Sequence, residues 1–191
     1  MKSALSFTLL PLLLLSACGQ GDAPAETDTM SPKGAQPGEV VSAMLKDKDG
    51  KDMGEVIIAS GDGGLMLNVA AQNMKPGTYG VHIHSVGKCD APDFKTAEGH
   101  WNPFAKMHGL ESDKGAHSGD LPNLVIGEGG SGALAHTIKH VTMKDGEAAL
   151  MDADGAAFMI HAGPDDMKTD LAGDSGDRIA CGVFEVRQSV K

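Results

Sequence analysis

Short alternating apolar runs, each soon closed by glycine, aspartate or proline, govern what this chain can become. Residues 40–45 and 55–59 flank Asp49-Gly50, residues 65–69 alternate, 79–84 follow Pro76-Gly77, and 133–137 follow a glycine-rich turn. Residues 147–151 and 156–161 flank Asp152-Ala153-Asp154-Gly155, a further hairpin signal. Beyond residue 38 no long stretch repeats its apolar positions at helical spacing. Strands of this kind bury one face against another sheet. The expectation is therefore all-β, a Greek-key antiparallel β-sandwich or barrel of immunoglobulin-like architecture. Only 85–121 breaks the rhythm. A loop of that length in a compact domain is unusual unless something orders it, and its histidines point to metal.

The N-terminal end has a different composition. Lys2, an apolar run over 4–15 and the small residues Ser16 and Ala17 read as a signal peptide over 1–17. The run is too short, and too interrupted by Pro11, for a comfortable spanning helix. Leu15-Ser16-Ala17-Cys18 resembles the lipobox of bacterial lipoproteins, whose cysteine becomes the lipidated first residue. Glycine, proline and small polar residues dominate up to Gly38, so 18–38 is expected to be a flexible linker on a lipid carried by Cys18. Residues 39–191 then form one domain, long enough to bury a core. The expected location is the bacterial cell envelope, facing the periplasm and tethered to a membrane.

The formal charge is −10, and loss of 1–17 removes Lys2 and no acid, giving −11. An acidic chain attracts neither nucleic acid nor an anionic membrane surface. A small anionic substrate stays open, because local fields near a site can oppose the net charge. Three cysteines leave one over in an exported protein. If Cys18 carries lipid, Cys89 and Cys181 remain as a pair. An oxidising compartment lets them bond, and closing so long a loop contributes about 4 kcal/mol in the chain-entropy account.

Five histidines and an aspartate fall in one window: His82, His84, His100, His108, His117 and Asp120. A lone histidine is ordinarily just a surface or core residue, but clustering changes the balance. His82 and His84 stand at i and i+2 on a strand, so both rings leave the same face. Two imidazoles so placed suit copper or zinc. His117-Ser118-Gly119-Asp120 offers imidazole and carboxylate around a glycine turn, a combination that suits zinc.

Four stretches carry a recognisable pattern: Gly80-Val81-His82-Ile83-His84, Gly99-His100-Trp101-Asn102-Pro103, His117-Ser118-Gly119-Asp120-Leu121-Pro122-Asn123, and Gly176-Asp177-Arg178-Ile179-Ala180-Cys181-Gly182-Val183. In order and spacing they resemble the copper/zinc superoxide dismutase family, over about 39–188. The resemblance implies one copper per chain, held by His82, His84, His100 and His161. It implies one zinc, held by His100, His108, His117 and Asp120, with His100 bridging the two ions as an imidazolate. Asp165 is implied as the carboxylate that ties a copper ligand to a zinc ligand, and Cys89 and Cys181 as the disulfide. Arg178 is implied as the guide for superoxide, its fixed charge and forked donors suiting a small anion. Catalysis would rest on Arg178 and His100, and the reaction would be dismutation of superoxide to dioxygen and hydrogen peroxide.

Some residues fit less simply. Asp165, Asp166, Asp170, Asp174 and Asp177 make the segment 162–178 acidic where the family commonly places steering cations. Steering would then fall to Lys88, Lys95, Lys106 or Lys114. Trp101 after His100 is a milder departure. His136 and His140 lie outside the ligand set and read as ordinary exposed histidines. Met66, Met143, Met151 and Met159 read as core filler rather than copper ligands. A second class of function is a lipid-anchored copper or zinc binding protein on the same scaffold. Storage needs the ligands but not Arg178, which favours the enzyme. Monomer and homodimer are equally open.

Overall fold

The computed structural model describes residues 39–187. The expected signal peptide, Cys18 and the linker over 18–38 lie outside the described residues. Strands β1 (Val40–Asp47), β2 (Asp52–Gly61) and β3 (Gly64–Ala71) form an antiparallel meander. Period-two patterning explains it. Val41, Ala43 and Leu45, then Val56 and Ile58, then Leu65, Leu67 and Val69 are all buried on one face. The β1–β2 turn is closed by Asp47, whose Oδ1 accepts from the main-chain nitrogens of Asp49 and Lys51, both at 2.9 Å. At the β2–β3 turn, Gly64 has φ 149°, and a Cβ there would lie 2.0 Å from the Ile138 carbonyl oxygen.

The chain then crosses to the other side. β4 (Gly77–Tyr79) pairs with β6 (Leu124–Ile126), and β5 (Val81–His84) pairs with β8 (Ala157–His161). β7 (Gly132–Lys139) returns beside β3, while β9 (Arg178–Val183) lies between β8 and β1, and β10 (Glu185–Val186) continues along β1. The main path runs β5-β8-β9-β1-β2-β3-β7. The result is the expected antiparallel Greek-key arrangement, a sheet curled around one core. Among the described residues the only helical element is a 3₁₀ turn, Lys95–Ala97.

Two expectations need correction. The strand expected over 79–84 is divided at Gly80, whose N–H donates to the Gly163 carbonyl at 2.7 Å. More substantially, 147–151 is not a strand paired with 156–161. β8 already has β5 on one side and β9 on the other, so no free edge remains for it. Residues 147–151 instead fold back on 142–143, with Leu150 N donating to Thr142 O and Met151 N to Met143 O, both at 2.9 Å, and Leu150 joins the core.

The outer face of β5 and β8 positions the site. Every residue of both strands is buried, yet their alternate positions meet different surroundings. Val81, Ile83, Phe158 and Ile160 belong to the main core. Ala157 and Met159 pack on the other face with Phe94, Ala97 and Cys181, beneath the 85–121 loop. His82 and His84, opposite Met159 and Ala157 in register, share that outer face. The loop also covers the β5 edge, where Trp101 N donates to Ile83 O at 2.8 Å and Ile83 N to Gly119 O at 2.9 Å.

Candidate metal centre

The loop crossing at β5 brings His100 and Asp120 over the strand that carries His82 and His84, through bridges His84–His100 and His82–Asp120. Gly119 makes this approach possible. A Cβ there would lie 2.2 Å from the Ile83 carbonyl oxygen, so the glycine allows close contact as well as the expected turn, which Asp120 N closes by donating to His117 O at 3.2 Å. His161 arrives from the end of β8, where the register with β9 shifts between Ile160 and His161.

Two donor clusters result. In the first, His82, His84, His100 and His161 each offer a ring nitrogen, all within 4.8 Å of one another. These nitrogens, His82 Nδ1 and the Nε2 atoms of His84, His100 and His161, are buried without a hydrogen-bond partner. Their opposite nitrogens are occupied. His82 Nε2 is 2.7 Å from Asp165 Oδ2, His84 Nδ1 donates to Glu98 O at 2.7 Å, and His161 Nδ1 donates to Gly176 O at 3.1 Å. Burial pushes His82 down to about 3, His84 to about 2 and His161 to about 4, and it lowers His100 as well. The rings are therefore neutral at physiological pH, with lone pairs aimed at a common space. An unpartnered buried nitrogen costs about 1–3 kcal/mol, and four together fit a cation.

The second cluster is organised around a carboxylate. Asp120 Oδ1 lies 2.9 Å from His100 Nδ1 and 3.1 Å from both His108 Nδ1 and His117 Nδ1. Asp120 Oδ2 accepts from the main-chain nitrogens of Gly109 and His117 at 2.9 and 3.0 Å. Burial works against this carboxylate's charge, but the three rings hold it far below the usual range. The grouping around Asp120 whose donor atoms all lie within 4.8 Å of one another is His82, His100, His108 and Asp120, with His82 in place of His117. His82 Nε2 is committed to Asp165, whereas His117 Nδ1 faces Asp120 Oδ1. Asp165 joins the clusters, with Oδ2 on His82 and Oδ1 3.1 Å from His108 Nε2. Burial pulls His108 down, yet Asp120 and Asp165 together raise it to about 9.

Arg178 borders a cleft of about 500 Å³ with His84, His100, His161, Asn102 and Leu171. None of Lys88, Lys95, Lys106 or Lys114 lines it. Lys95 pairs with Asp93 at 2.9 Å and borders a different cleft that Arg178 also lines. Lys106 lines another, of about 530 Å³, beside His117. His136 and His140 line that cleft too and belong to neither donor cluster; His140 lies beyond the end of β7 with φ 61°, so the two do not share a strand face. Cys89 and Cys181 form a disulfide with Cα atoms 5.7 Å apart.

Supporting contacts escaped the sequence reading. Asn123 Nδ2 donates to Asp165 O at 2.8 Å and Asp165 N to Asn123 Oδ1 at 2.9 Å, while Asp170 Oδ1 accepts from His108 N at 2.9 Å. Asn123 stands in a recognisable motif, but nothing in the sequence names its partner.

A sequence profile described as copper/zinc superoxide dismutase matches residues 53–184. Superoxide dismutase [Cu-Zn] 1 of Aquifex aeolicus is 41% identical over 145 residues, covering 75% of this chain and 86% of that protein. Superoxide dismutase [Cu-Zn] of Caulobacter vibrioides is 38% identical over 147 residues, covering 75% and 84%. Among solved structures, a SOD-like protein from Bacillus subtilis aligns with a TM-score of 0.71 at 37% identity, covering 74% of this chain and 96% of that one. Cu/Zn superoxide dismutase from Brucella abortus aligns at 0.63 and 28% identity, covering 77% and 100%. The profile match takes in every donor of both clusters, the disulfide and Arg178, and it makes this chain a member of the copper/zinc superoxide dismutase family.

Proposed function

We propose that this chain dismutates superoxide with copper held by His82, His84, His100 and His161, and zinc held by His100, His108, His117 and Asp120. The observation that carries the assignment is the set of four unpartnered ring nitrogens, one of them on the ring whose other nitrogen meets Asp120. Copper, when bound, supplies one-electron redox chemistry, so that two superoxide anions and two protons become dioxygen and hydrogen peroxide. The chain's residues do the rest. Main-chain carbonyls hold His84 and His161 with Nδ1 protonated, leaving Nε2 as the donor. His100 Nε2, buried without a hydrogen-bond partner, would be the atom that takes up a proton and passes it to the second anion. Asp120 Oδ1 faces the Nδ1 side of that ring, where both would hold zinc, and Asp165 fixes His82 and His108 against each other. Arg178, the one cation lining the cleft among the described residues, draws the anion in and donates hydrogen bonds to it.

The competing reading, metal storage, needs no cation at the cleft, and Arg178 argues against it. Arg178→Ala should retain copper and lose about tenfold or more in rate, as expected for removal of a charge-assisted hydrogen bond worth about 1.5–3 kcal/mol. Superoxide consumption at matched copper content checks this, and an unchanged rate would return the storage reading.

We infer further that the protein is exported to the cell envelope and anchored through Cys18. The apolar run, the lipobox-like residues 15–18 and a disulfide suited to an oxidising compartment support this. A Cys18→Ser chain should leave the membrane fraction; one that still sediments with membranes would rule the anchor out.

A further inference from the structure

A second cleft, of about 530 Å³, lies between the loop segment 104–120 and the end of β7. His117 lines it and also lines the cleft of Arg178, so one ring is common to both walls. The lining is amphipathic. Phe104 and Leu110 are 43% and 41% exposed there, and Ile138 adds a buried aliphatic side chain. Exposed apolar side chains converging on one concave surface favour a ligand with apolar area over water.

Lys106 and Lys139 line the same cleft, are exposed, and make no ion pair among the described residues. The chain has 26 acidic and 16 basic residues, so carboxylates to pair them are not scarce. The one carboxylate in the wall, Asp120, is buried, with Oδ1 on three rings and Oδ2 on the main-chain nitrogens of Gly109 and His117. Glu111, next to Leu110, is paired with Lys168 at 2.9 Å. His136 and His140, which neither donor cluster uses, add ring nitrogens able to donate.

We propose that this cleft binds an amphipathic carboxylate, its head drawn by Lys106 and Lys139 and its alkyl tail lying over Phe104, Leu110 and Ile138. A unit charge about 6 Å from the head, at water-like dielectric, tightens binding about threefold. Each methylene taken out of water adds up to about fourfold. Neither feature suffices alone: a short anion lacks the tail, and an alkyl cation meets the wrong charge. Arg178 does not line this cleft, so the site is separate from the one that receives superoxide.

Calorimetric titration of octanoate into the copper- and zinc-loaded protein at low ionic strength tests the proposal. One octanoate should bind per chain, hexanoate and butanoate progressively more weakly, and acetate and octyltrimethylammonium not measurably. Lys106→Gln and Lys139→Gln should each weaken octanoate about threefold and together about tenfold, with the loss fading as salt is added. The Asn102 side chain bonds the main chain of Lys106, so the first variant keeps that turn. Phe104→Ser should reduce the gain per methylene. No octanoate binding, equal affinity for acetate and octanoate, or affinities unchanged in both lysine variants would overturn the proposal. Octanoate that shifts the copper absorption spectrum and is lost with Arg178→Ala would also overturn it, by placing the anion in the other cleft. Binding that weakens as protein concentration rises would do the same, by giving this face to a second copy of the chain.

Discussion

The two donor clusters share the His100 ring but are held open in different ways. Around His82, His84 and His161 the support comes from behind, from Asp165 and the carbonyls of Glu98 and Gly176, and the centre contains no protein partner. Around His108 and His117 the support comes from the centre itself, where Asp120 Oδ1 meets three rings at 2.9–3.1 Å. The first cluster is built from neutral donors and depends on burial to keep protons away. The second carries its own anion and tolerates a proton on His108. A cation stabilises the first by satisfying orphaned lone pairs, and the second by replacing protons that already bridge its members.

The largest way to break this contrast is to remove the central charge. Asp120→Ala should leave the metal-free chain less stable by about 3–5 kcal/mol, because the buried protonated His108 loses a partner. Zinc affinity should fall by at least about 100-fold, by more than loss of an outer-shell contact costs. Denaturant unfolding and zinc competition measure these. Equal losses of copper and zinc affinity would mean the clusters are not separately supported.

A smaller effect separates the clusters by pH in the metal-free chain. His82 and His161 sit near 3 and 4, below the unfolded value of about 6.5, and His84 is lowered too. Their contribution is therefore present above pH 6.5 and lost as pH falls through 4 and 3, where the unfolded chain binds more protons. His108, raised to about 9, has the opposite sign: its contribution is present below pH 6.5 and lost as pH rises through 9. Metal-free stability should therefore fall away on both sides of about pH 6.5. Unfolding midpoints from pH 4 to 9 check this, and a profile that climbs steadily to pH 9 would contradict it.

Much of the donor geometry was legible because strand alternation is local. Val81 and Ile83 facing the core forces His82 and His84 to the other face, and the loop motifs carry His100, His117 and Asp120 in order. The supports were less legible, since they are main-chain carbonyls whose identity depends on how the loop lies. Glu98 and Phe94 carry no side-chain sign that their oxygens hold Arg178. The strand expected over 147–151 failed for a related reason. Its composition suits a strand, but only the assembled sheet shows that β8 has no open edge. Likewise, charge counting singled out lysines for steering, whereas Arg178 is the cation that lines the cleft among the described residues.

The central claim is that one ring, His100, serves both metals. Loading the protein with Cu(II) in the first cluster and paramagnetic Co(II) in the second tests it most directly, by electron paramagnetic resonance. A shared ring predicts exchange coupling that removes most of the Cu(II) signal at one copper and one cobalt per chain. An undiminished Cu(II) signal at that loading would contradict it.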